Sequence, residues 1–348
     1  MSDISKKKAG IIGAGGFTGK ELLFLIAKHK YFEISYATSN EYAGKKISDV
    51  FPEIKTKTYD NLKFLNHPED ITKVPELDVI FLAVPDETSV KFTPLLLKRG
   101  FKVIDLSGAW RIQDEEIFKK YYGIERNDPE TLKKAIFGLT EINREKIKGA
   151  NLIANPGCYP TAALLPFYVI KDYLNSFDNQ IFIDAKSGTS GAGGRKEKDT
   201  LAFSTVYENF RAYKTDGHQH EPEINQELMP FLKGAQVTFT PYLLPVFRGI
   251  LSTSYLKVNS DIDEEKLKQK IKQIIENEPF IRFYESPNEI NLKNVQNTNF
   301  LDFSFLYNKR KNTFIIFSAI DNLLKGAAGQ AVQNLNVIFN FSETEGLL

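Results

Sequence analysis

The first half of the chain alternates between short apolar runs and helical patterns. Mostly apolar runs predict buried strands at residues 9–12, 32–38, 77–84 and 101–106. Between them, the spacing of apolar residues predicts helices over 20–29 and 93–100, and Gly100 suits the end of the second helix. Strands that alternate with helices in this way are typical of a doubly wound parallel α/β sheet of the Rossmann type.

After residue 158 the pattern changes to longer stretches in which apolar and polar residues partly alternate. These stretches predict strands at residues 180–186, 235–241, 249–258 and 313–320. A charged amphipathic pattern predicts a helix over 262–277, and a pattern rich in small residues predicts a last helix over about 325–340. Long strands with few helices are typical of an α+β domain.

We therefore expect two domains. A Rossmann domain would comprise residues 1–157 and 322–348, and an α+β catalytic domain would comprise 158–321 and also provide the contacts for oligomerisation. Segments 110–135 and 190–220 show neither pattern and are expected to be long loops or irregular helices.

Composition and charge exclude several classes of partner. The 348 residues include 45 Lys+Arg and 44 Asp+Glu, which gives a formal charge of +1 and no global case for nucleic acid or an anionic membrane. One cysteine rules out a disulfide within the chain and suits a reducing compartment. No apolar stretch is long enough to cross a bilayer, and the N-terminus lacks the apolar region of a signal peptide. A cytoplasmic protein is expected.

The single cysteine, Cys158, lies between a predicted strand at 150–154 and a predicted helix at 161–174. Pro160 suits the first turn of that helix, where a missing N–H costs nothing. The thiol would then lie at a helix N-terminus, where unpaired N–H groups and the helix dipole favour the thiolate. Cys158 is therefore a candidate nucleophile, although a buried cysteine can also serve as a small apolar side chain.

A glycine-rich segment follows the first predicted strand and opens the first predicted helix. Gly13, Gly16 and Gly19 would allow a tight turn and a close approach of the backbone to a pyrophosphate at the helix N-terminus. The spacing differs from the usual dinucleotide pattern, and a turn without a ligand is the alternative.

The end of the second predicted strand bears on the choice of cofactor. An NAD site places an acidic residue there to bind the ribose hydroxyls, but Glu33 lies at the start of the strand. Ser39, with Lys45 and Lys46 nearby, would suit a 2′-phosphate. The sequence therefore favours NADP(H), with a simple turn role for Ser39 as the alternative.

Four histidines are available as partners for the thiolate. His29 and His67 are expected to be ordinary solvated residues. One of His218 and His220 is the candidate acid/base, and Gly217, which frees the backbone, favours His218. His220 and Glu223 stay open as acid/base or substrate-binding groups. A metal site is not expected because a third ligand is missing, and a purely structural role for both histidines is the other alternative.

Two further segments are suited to binding anions. Residues 187–195 follow a predicted strand and combine a glycine-rich nest of N–H groups with Arg195. Arg111 follows the strand that ends at 106, and open α/β sheets bind ligands at such strand ends. A surface ion pair is the alternative for each arginine.

Together these motifs resemble the N-acetyl-gamma-glutamyl-phosphate reductases of arginine biosynthesis, which belong with the aspartate-semialdehyde dehydrogenases. The resemblance covers nearly the whole chain, and Asn40 stands where the family often has Arg. The motifs that carry it are at residues 13–19, 38–45, 105–111, 155–161, 187–195, 218–224 and 321–330.

The resemblance implies a Rossmann domain, a catalytic domain of the phosphorylating-dehydrogenase type and an oligomer, either a dimer or a tetramer. It implies NADPH-dependent reduction of an acyl phosphate to a semialdehyde through a Cys158 thioester, with release of phosphate and a histidine as proton donor. The implied cofactor-binding residues are Gly13, Gly15, Gly16, Phe17, Thr18, Gly19, Ser39, Pro85, Ser187, Gly188 and Asn322. The implied substrate- or phosphate-binding residues are Arg111, Asn155 and Arg195.

Two alternatives remain at the level of sequence. The substrate could be a related aminoadipyl or aspartyl phosphate, because a pocket that distinguishes a methylene or an acetyl group cannot be identified from sequence. The chain could also be a non-catalytic dinucleotide-binding sensor, although an intact Cys158 and two nearby histidines argue against it.

Overall fold

The computed structural model describes residues 5–54, 59–192 and 203–348. Its strands, numbered β1 to β13 in chain order, are Lys7–Ile12, Phe32–Thr38, Val79–Leu82, Lys102–Asp105, Ala135–Phe137, Leu152–Ala154, Phe177–Ser187, Arg211–Ala212, Gln236–Leu243, Ile250–Val258, Ile281–Phe283, Leu301–Asn308 and Thr313–Ile320. Its helices, numbered α1 to α11, are Phe17–Lys28, Ile47–Val50, Asp86–Lys98, Glu115–Tyr122, Pro129–Lys134, Thr140–Ile147, Cys158–Val169, Phe203–Val206, His220–Leu228, Glu264–Ile275 and Gly329–Ile338. A π-helical turn, Leu324–Ala328, precedes α11.

The described residues form two units. The first contains the residues up to Lys119, Gly123–Pro156 and Ala327–Leu348, and the second contains Lys120–Tyr122 and Gly157–Gly326. The domain boundaries expected from the sequence differ from these by a few residues at 157 and at 322–326. They also assign residues 120–122 to the other unit.

In the first unit, six strands form one sheet in the order β2-β1-β3-β4-β6-β5, and every neighbouring pair is parallel. The predicted Rossmann-type sheet is confirmed. The chain runs from β1 to β2 on one side of β1, and then crosses back to β3 on the other side. A ligand crevice in such sheets lies at the carboxyl ends of the strands on either side of this reversal, which is where the glycine-rich segment follows β1.

In the second unit, seven strands form a mixed sheet in the order β11-β12-β13-β10-β7-β9-β8. Helix α7 packs against one face, and the Ser318 hydroxyl on β13 donates to the Ala162 carbonyl of α7 at 2.8 Å. Ten of the twelve residues of α7 are buried, so the helix is apolar around its whole circumference. The expected α+β character of this half of the chain is confirmed.

Several sequence predictions of elements were wrong. The segment 110–135, expected to be a long loop or an irregular helix, contains the short regular helices α4 and α5. Helix α4 carries clear end signals, because the Asp114 side chain accepts from Ile117 N and Gly123 at the C-terminus has φ +72°. Helix α3 begins at Asp86 rather than 93. Strand β12 was missed, although its first five residues alternate between apolar and polar side chains.

His29 was expected to be solvated and is instead fully buried in the first unit. Its Nε2 lies 2.9 Å from Asn336 Oδ1, and its Nδ1 accepts from Tyr31 N at 3.1 Å. The ring of Phe341, from the segment after α11, packs beside it. Burial therefore comes from a segment more than 300 positions away in sequence. His67 is half-buried, with Nδ1 2.7 Å from Thr38 Oγ1.

Among the described residues, no helix is long and apolar enough to cross a membrane.

Candidate active site

Cys158 is the first residue of α7 and is half-buried. Gly157 stands at the N-cap without a side chain, and its carbonyl accepts from both the N–H and the hydroxyl of Thr161, at 3.0 and 2.9 Å. Pro160 lies in the first turn, as the sequence predicts. The thiol is therefore at the N-terminal end of a buried helix, where unpaired N–H groups and the helix dipole favour negative charge.

Gly326, in the π-helical turn, limits the space around the cysteine. A Cβ added to Gly326 would lie 2.8 Å from Cβ of Cys158 and 3.2 Å from its Cα. Any side chain at 326 would displace the cysteine, so a glycine is needed there for packing rather than for backbone conformation.

His220 is the first residue of α9, and its ring lies against the residue that precedes the cysteine. A Cβ added to Gly157 would lie 2.5 Å from His220 Nε2 and 2.8 Å from Cδ2 and Cε1. The absence of a side chain at 157 thus allows this imidazole to come close to the cysteine loop.

His218 lies deeper, in contact with several aromatic rings. Tyr159, Tyr213 and Phe239 surround its ring at centroid distances of 5.5, 5.7 and 5.4 Å. Burial in this apolar setting, with a smaller effect from Lys214, lowers the pKa of His218 to about 3. A histidine with so low a pKa stays neutral at physiological pH, and the assignment of His218 rather than His220 as the acid/base stays a prediction.

Glu223 is fully buried, and its carboxylate Oε1 accepts the Gly157 N–H at 2.8 Å. A charge-assisted bond of this kind is stronger than a neutral one. Glu223 therefore holds the backbone immediately before the cysteine, which is a role that the sequence did not suggest.

Asn322, Ser187 and Gly188 form a second group in the same unit. The Asn322 side chain accepts from Gly249 N at 2.7 Å and donates to Ser190 Oγ at 3.0 Å. Ser187 Oγ donates to the Gly188 carbonyl, and a Cβ at Gly188 would lie 2.7 Å from the Phe247 carbonyl oxygen. These residues join the loops after β7 and β9. Arg195 lies outside the described residues.

The glycine-rich segment in the first unit has the expected geometry after β1. Gly13 has φ +96°, and a Cβ there would lie 2.1 Å from the Ala83 carbonyl oxygen. Gly19 packs in the same way against the Gly13 carbonyl oxygen, and Gly15 packs against Ser39 Oγ, each at 2.4 Å. These three glycines are needed for internal packing.

Gly16 differs from the other three glycines. Among the described residues, only the Gly13 carbonyl oxygen comes within 4 Å of a Cβ added there, at 3.9 Å. Gly16 caps α1, and Phe17 and Thr18 follow it in the first turn. The open space beside Gly16, at the N-terminal end of α1, suits a pyrophosphate. Pro85, exposed at the N-cap of α3, follows the neighbouring strand β3.

Arg111 and Asn155, both expected to bind substrate, are buried in the first unit. Arg111 donates from Nε to the Asn155 carbonyl at 2.7 Å and from Nη2 to the Leu106 carbonyl at 2.8 Å. Asn155 donates to the Ala327 carbonyl and accepts from Asn334 Nδ2. These bonds brace the ends of β4 and β6, and substrate binding by either residue stays a prediction.

Sequence reasoning missed Tyr159, Tyr213 and Gly326. Tyr159 directly follows the cysteine, and its hydroxyl lies 3.1 Å from that of Tyr213 and donates to the Tyr242 carbonyl at 3.2 Å. No local spacing signal relates Tyr159, Tyr213 and Tyr242, because they lie far apart in the sequence. Within the described part of the chain, no cluster of three His, Cys, Asp or Glu side chains is arranged to hold a metal ion.

Family models match both halves of the chain. Residues 8–150 match the semialdehyde dehydrogenase NAD binding domain, and residues 158–322 match the semialdehyde dehydrogenase dimerisation domain.

Curated relatives match over their full length. An N-acetyl-gamma-glutamyl-phosphate reductase of Leptospira interrogans (strain 56601) is 47% identical over 350 residues, covering 100% of both chains. The enzyme of the same name from Methanococcus vannielii is 42% identical and covers 98% of each chain.

Among solved structures, aspartate semialdehyde dehydrogenase II of Vibrio cholerae superimposes with a TM-score of 0.72 at 18% identity, covering 97% of this chain and 99% of that one. Aspartate semialdehyde dehydrogenase with NADP from Candida albicans gives 0.67 at 16% identity, covering 96% and 98%. At these identities the likeness concerns the fold.

Proposed function

Because the chain belongs to the N-acetyl-gamma-glutamyl-phosphate reductase family, we propose that it reduces N-acetyl-gamma-glutamyl phosphate to N-acetylglutamate semialdehyde, with NADPH as reductant and release of phosphate. The observation that carries this proposal is the surroundings of Cys158. A lone thiol begins a buried helix, a carboxylate holds the preceding backbone N–H, and the ring of His220 lies over the preceding residue. This arrangement suits covalent acyl transfer.

The first half of the reaction is acyl transfer to sulfur. The Cys158 thiolate attacks the acyl carbon, a C–S bond forms, the C–O bond to phosphate breaks, and phosphate leaves with its electron pair. The N-terminal end of α7 stabilises the thiolate before attack. Glu223 keeps the Gly157 backbone fixed, so that the sulfur stays oriented.

The second half reduces the thioester. When bound, the nicotinamide supplies the hydride that takes the thioester to the aldehyde level. As the C–S bond breaks, His220 donates a proton to the departing sulfur, and in the reverse direction the same ring accepts it. His220 is assigned this role because its Nε2 lies close to Gly157, whereas His218 is enclosed by aromatic rings.

The family model matches an NAD binding domain, and the glycine-rich segment fits a nicotinamide dinucleotide. The open position at Gly16, at the N-terminal end of α1, would receive the pyrophosphate. Ser39, buried directly after β2, would lie near the ribose, and its hydroxyl already accepts from Tyr42 N at 3.4 Å.

The preference for NADP(H) rests on the residues after β2. Ser39 and Asn40 follow the strand in place of an acidic residue, and the Asn40 side chain accepts from His67 N. Lys45 is exposed nearby on the same segment. Comparing kcat/KM for NADPH and NADH, in the wild type and in the variant Lys45→Glu, tests the preference for NADP(H). We expect that variant to weaken NADPH selectively, and a wild-type preference for NADH would contradict the proposal.

Cys158→Ala tests the covalent mechanism. We expect turnover to fall to background while the cofactor still binds, measured by fluorescence quenching on titration with NADPH. Cys158→Ser is the matched variant that keeps a hydroxyl and should be nearly as inactive, because a neutral hydroxyl is a much poorer nucleophile than a thiolate. Turnover near wild type in either variant would rule out the thioester.

The substrate is tested in the reverse direction. Phosphate-dependent reduction of NADP is measured with N-acetylglutamate semialdehyde and, separately, with aspartate semialdehyde. We expect the acetylated compound to give the higher kcat/KM. The opposite order would favour an aspartyl phosphate, and no turnover with any semialdehyde would favour a dinucleotide-binding sensor.

We further propose that two copies pair through the sheet of the second unit, since the matching family model is a dimerisation domain. On the face away from α7, paired positions align Phe182, Tyr255, Ile315 and Leu306 across four strands. Phe182, Tyr255 and Leu306 are 52%, 39% and 47% exposed. A continuous apolar row of this kind on a sheet is typical of a protein interface.

A further inference from the structure

We propose that His218 is a positioning residue whose neutral ring holds His220 beside the cysteine loop. The ring begins a chain of hydrogen bonds that passes through Tyr213 and Tyr159 and ends on the Tyr242 carbonyl. The inference rests on the proposed function only in taking His220 as the proton carrier. The direction of every bond in the chain follows from its two ends.

The first end is the Tyr242 carbonyl, which can only accept. Tyr159 therefore donates its one hydroxyl proton to it, at 3.2 Å. At the 3.1 Å contact between the two hydroxyls, Tyr159 must then accept, and Tyr213 donates. With its own proton used, Tyr213 accepts at its 3.5 Å contact with His218, so His218 Nε2 carries a hydrogen.

The second end is the backbone N–H of His220, which can only donate. It lies 3.1 Å from Nδ1 of His218, so this nitrogen carries no hydrogen. Both ends independently require the same tautomer, with a hydrogen on Nε2 and none on Nδ1. A second proton would place an N–H of the ring against the N–H of His220, which the geometry disfavours.

The surroundings of His218 also oppose protonation. The rings of Tyr159, Tyr213, Phe239 and His220 all lie within 5.7 Å of its centroid. Lys214, on the segment before it, adds a repulsive positive charge. Burial is the larger of the two effects that lower the pKa of His218.

The hydrogen bond to His218 determines where His220 is placed. The bond from its backbone N–H to His218 fixes the first residue of α9, and the same residue carries the ring that lies against Gly157. Without the acceptor at 218, that N–H would lose this partner at the start of the helix, and the position of the ring beside the cysteine loop would be less well fixed. His218 thus acts on the reaction through the placement of His220.

Nuclear magnetic resonance of the imidazole nitrogens tests the tautomer in the whole wild-type protein. The chain has four histidines, so single substitutions assign each signal. We expect His218 to show the neutral form with hydrogen on Nε2 from pH 8 to pH 5. An imidazolium, or hydrogen on Nδ1, anywhere in this range would overturn the proposal. Because no turnover is involved, failure here is separate from failure of the proposed function.

Kinetics of two His218 variants test the positioning role. In His218→Asn the side-chain oxygen can still accept the N–H two residues on, as in an Asx turn, whereas His218→Leu removes the acceptor. We expect about a tenfold or smaller loss of kcat for Asn and a loss of about 10²-fold for Leu, within the range for displaced catalytic groups. Both variants should keep the two limbs of the wild-type pH–rate profile.

His220→Asn is the contrasting variant, and it should lose about 10²–10⁴-fold in kcat together with one limb of the profile. Tyr213→Phe should lower kcat several-fold. The control is Tyr307→Phe, which removes a hydroxyl that lies 3.5 Å from the exposed Asp261, and it should leave kcat unchanged. If His218→Asn removes a limb and His220→Asn does not, His218 is the acid/base and the proposal is wrong.

Discussion

At the scale of single residues, the surroundings of Cys158 depend on side chains that are missing as much as on those that are present. Gly157 leaves room for the ring of His220, and Gly326 leaves room for the cysteine itself. One carboxylate, Glu223, then fixes the backbone between them through the Gly157 N–H. Packing and one buried carboxyl group therefore position the Cys158 side chain.

Substitution of Glu223 distinguishes a positioning role from acid/base chemistry. Glu223→Gln keeps an oxygen that can accept the Gly157 N–H, so we expect activity within a few-fold of wild type. Glu223→Ala leaves that N–H buried without its acceptor, and loss of a bond to a charged group of about 1.5–3 kcal/mol corresponds to roughly 10- to 100-fold in kcat. Steady-state kinetics measure both variants, and equal losses in the two would indicate that the ionised carboxylate takes part in the reaction.

At the scale of elements, two helices illustrate different uses of apolar residues. Helix α7 is buried on nearly every side and brings its first residue into the site. Helix α3 is amphipathic and covers the first sheet with one face only, burying Ser89, Thr93 and Leu96. The stability of α3 should therefore depend strongly on which face a substitution changes.

Two neighbouring leucines of α3 provide a matched test. Leu96 is fully buried and Leu95 is 47% exposed. Leu96→Ala should lower the free energy of unfolding by about 2–5 kcal/mol, through lost burial and the cavity left behind. Leu95→Ala should change it by no more than about 0.5 kcal/mol. Urea unfolding followed by circular dichroism measures both, and similar losses for the two variants would contradict the placement of this helix.

At the scale of the whole molecule, two properties extend beyond any one element. One is the association that we propose through the apolar row on the second sheet, which is formed by strands that are distant in sequence. The other is the dependence of stability on pH, which sums the titration of buried groups throughout the chain.

Association is tested by placing a charge in the apolar row. In Tyr255→Asp and Phe182→Asp, a carboxylate would have to be buried in the interface, so we expect the dimer to dissociate. Met229→Asp, at another exposed apolar position, is the control and should leave the mass unchanged. Sedimentation equilibrium measures the mass, and a wild-type mass for both row variants would exclude this face as the interface.

Stability should fall as the pH is lowered from 7 to 5. Burial lowers the pKa of His29 and His218 below the ordinary 6.5, so only the unfolded chain takes up these protons as the pH falls. Each histidine removes up to about 1.4 kcal/mol per pH unit. Asp105 opposes this trend below pH 6, because burial raises its pKa to about 6 and the folded chain then takes up the proton.

Urea unfolding at pH 7, 6 and 5 measures the net effect. Asp105→Asn should make the loss steeper below pH 6, because it removes the opposing contribution. His218→Asn should make the loss shallower, because one of the two histidine contributions is gone. Wild-type stability that rises toward pH 5 would contradict the burial of these histidines.

The sequence by itself determined the features that depend on neighbouring residues. The glycine-rich segment after β1, the parallel sheet of the first unit and the placement of Cys158 at the start of a helix all followed from short-range patterns. Local spacing suffices here because apolar periodicity, glycine conformation and helix ends involve residues only a few positions apart.

The tertiary structure decided whatever depends on residues that are distant in sequence. His29 is buried by a segment more than 300 positions away, and Arg111 is bound by the carbonyl of Asn155. The roles we propose for His218 and His220 differ because Tyr159, Tyr213 and Phe239 surround the ring of His218, whereas His220, which also contacts Tyr159, lies against Gly157. Two histidines in nearly the same sequence setting thus acquire different chemistry, because burial and hydrogen bonding are set by the side chains that the fold brings around them.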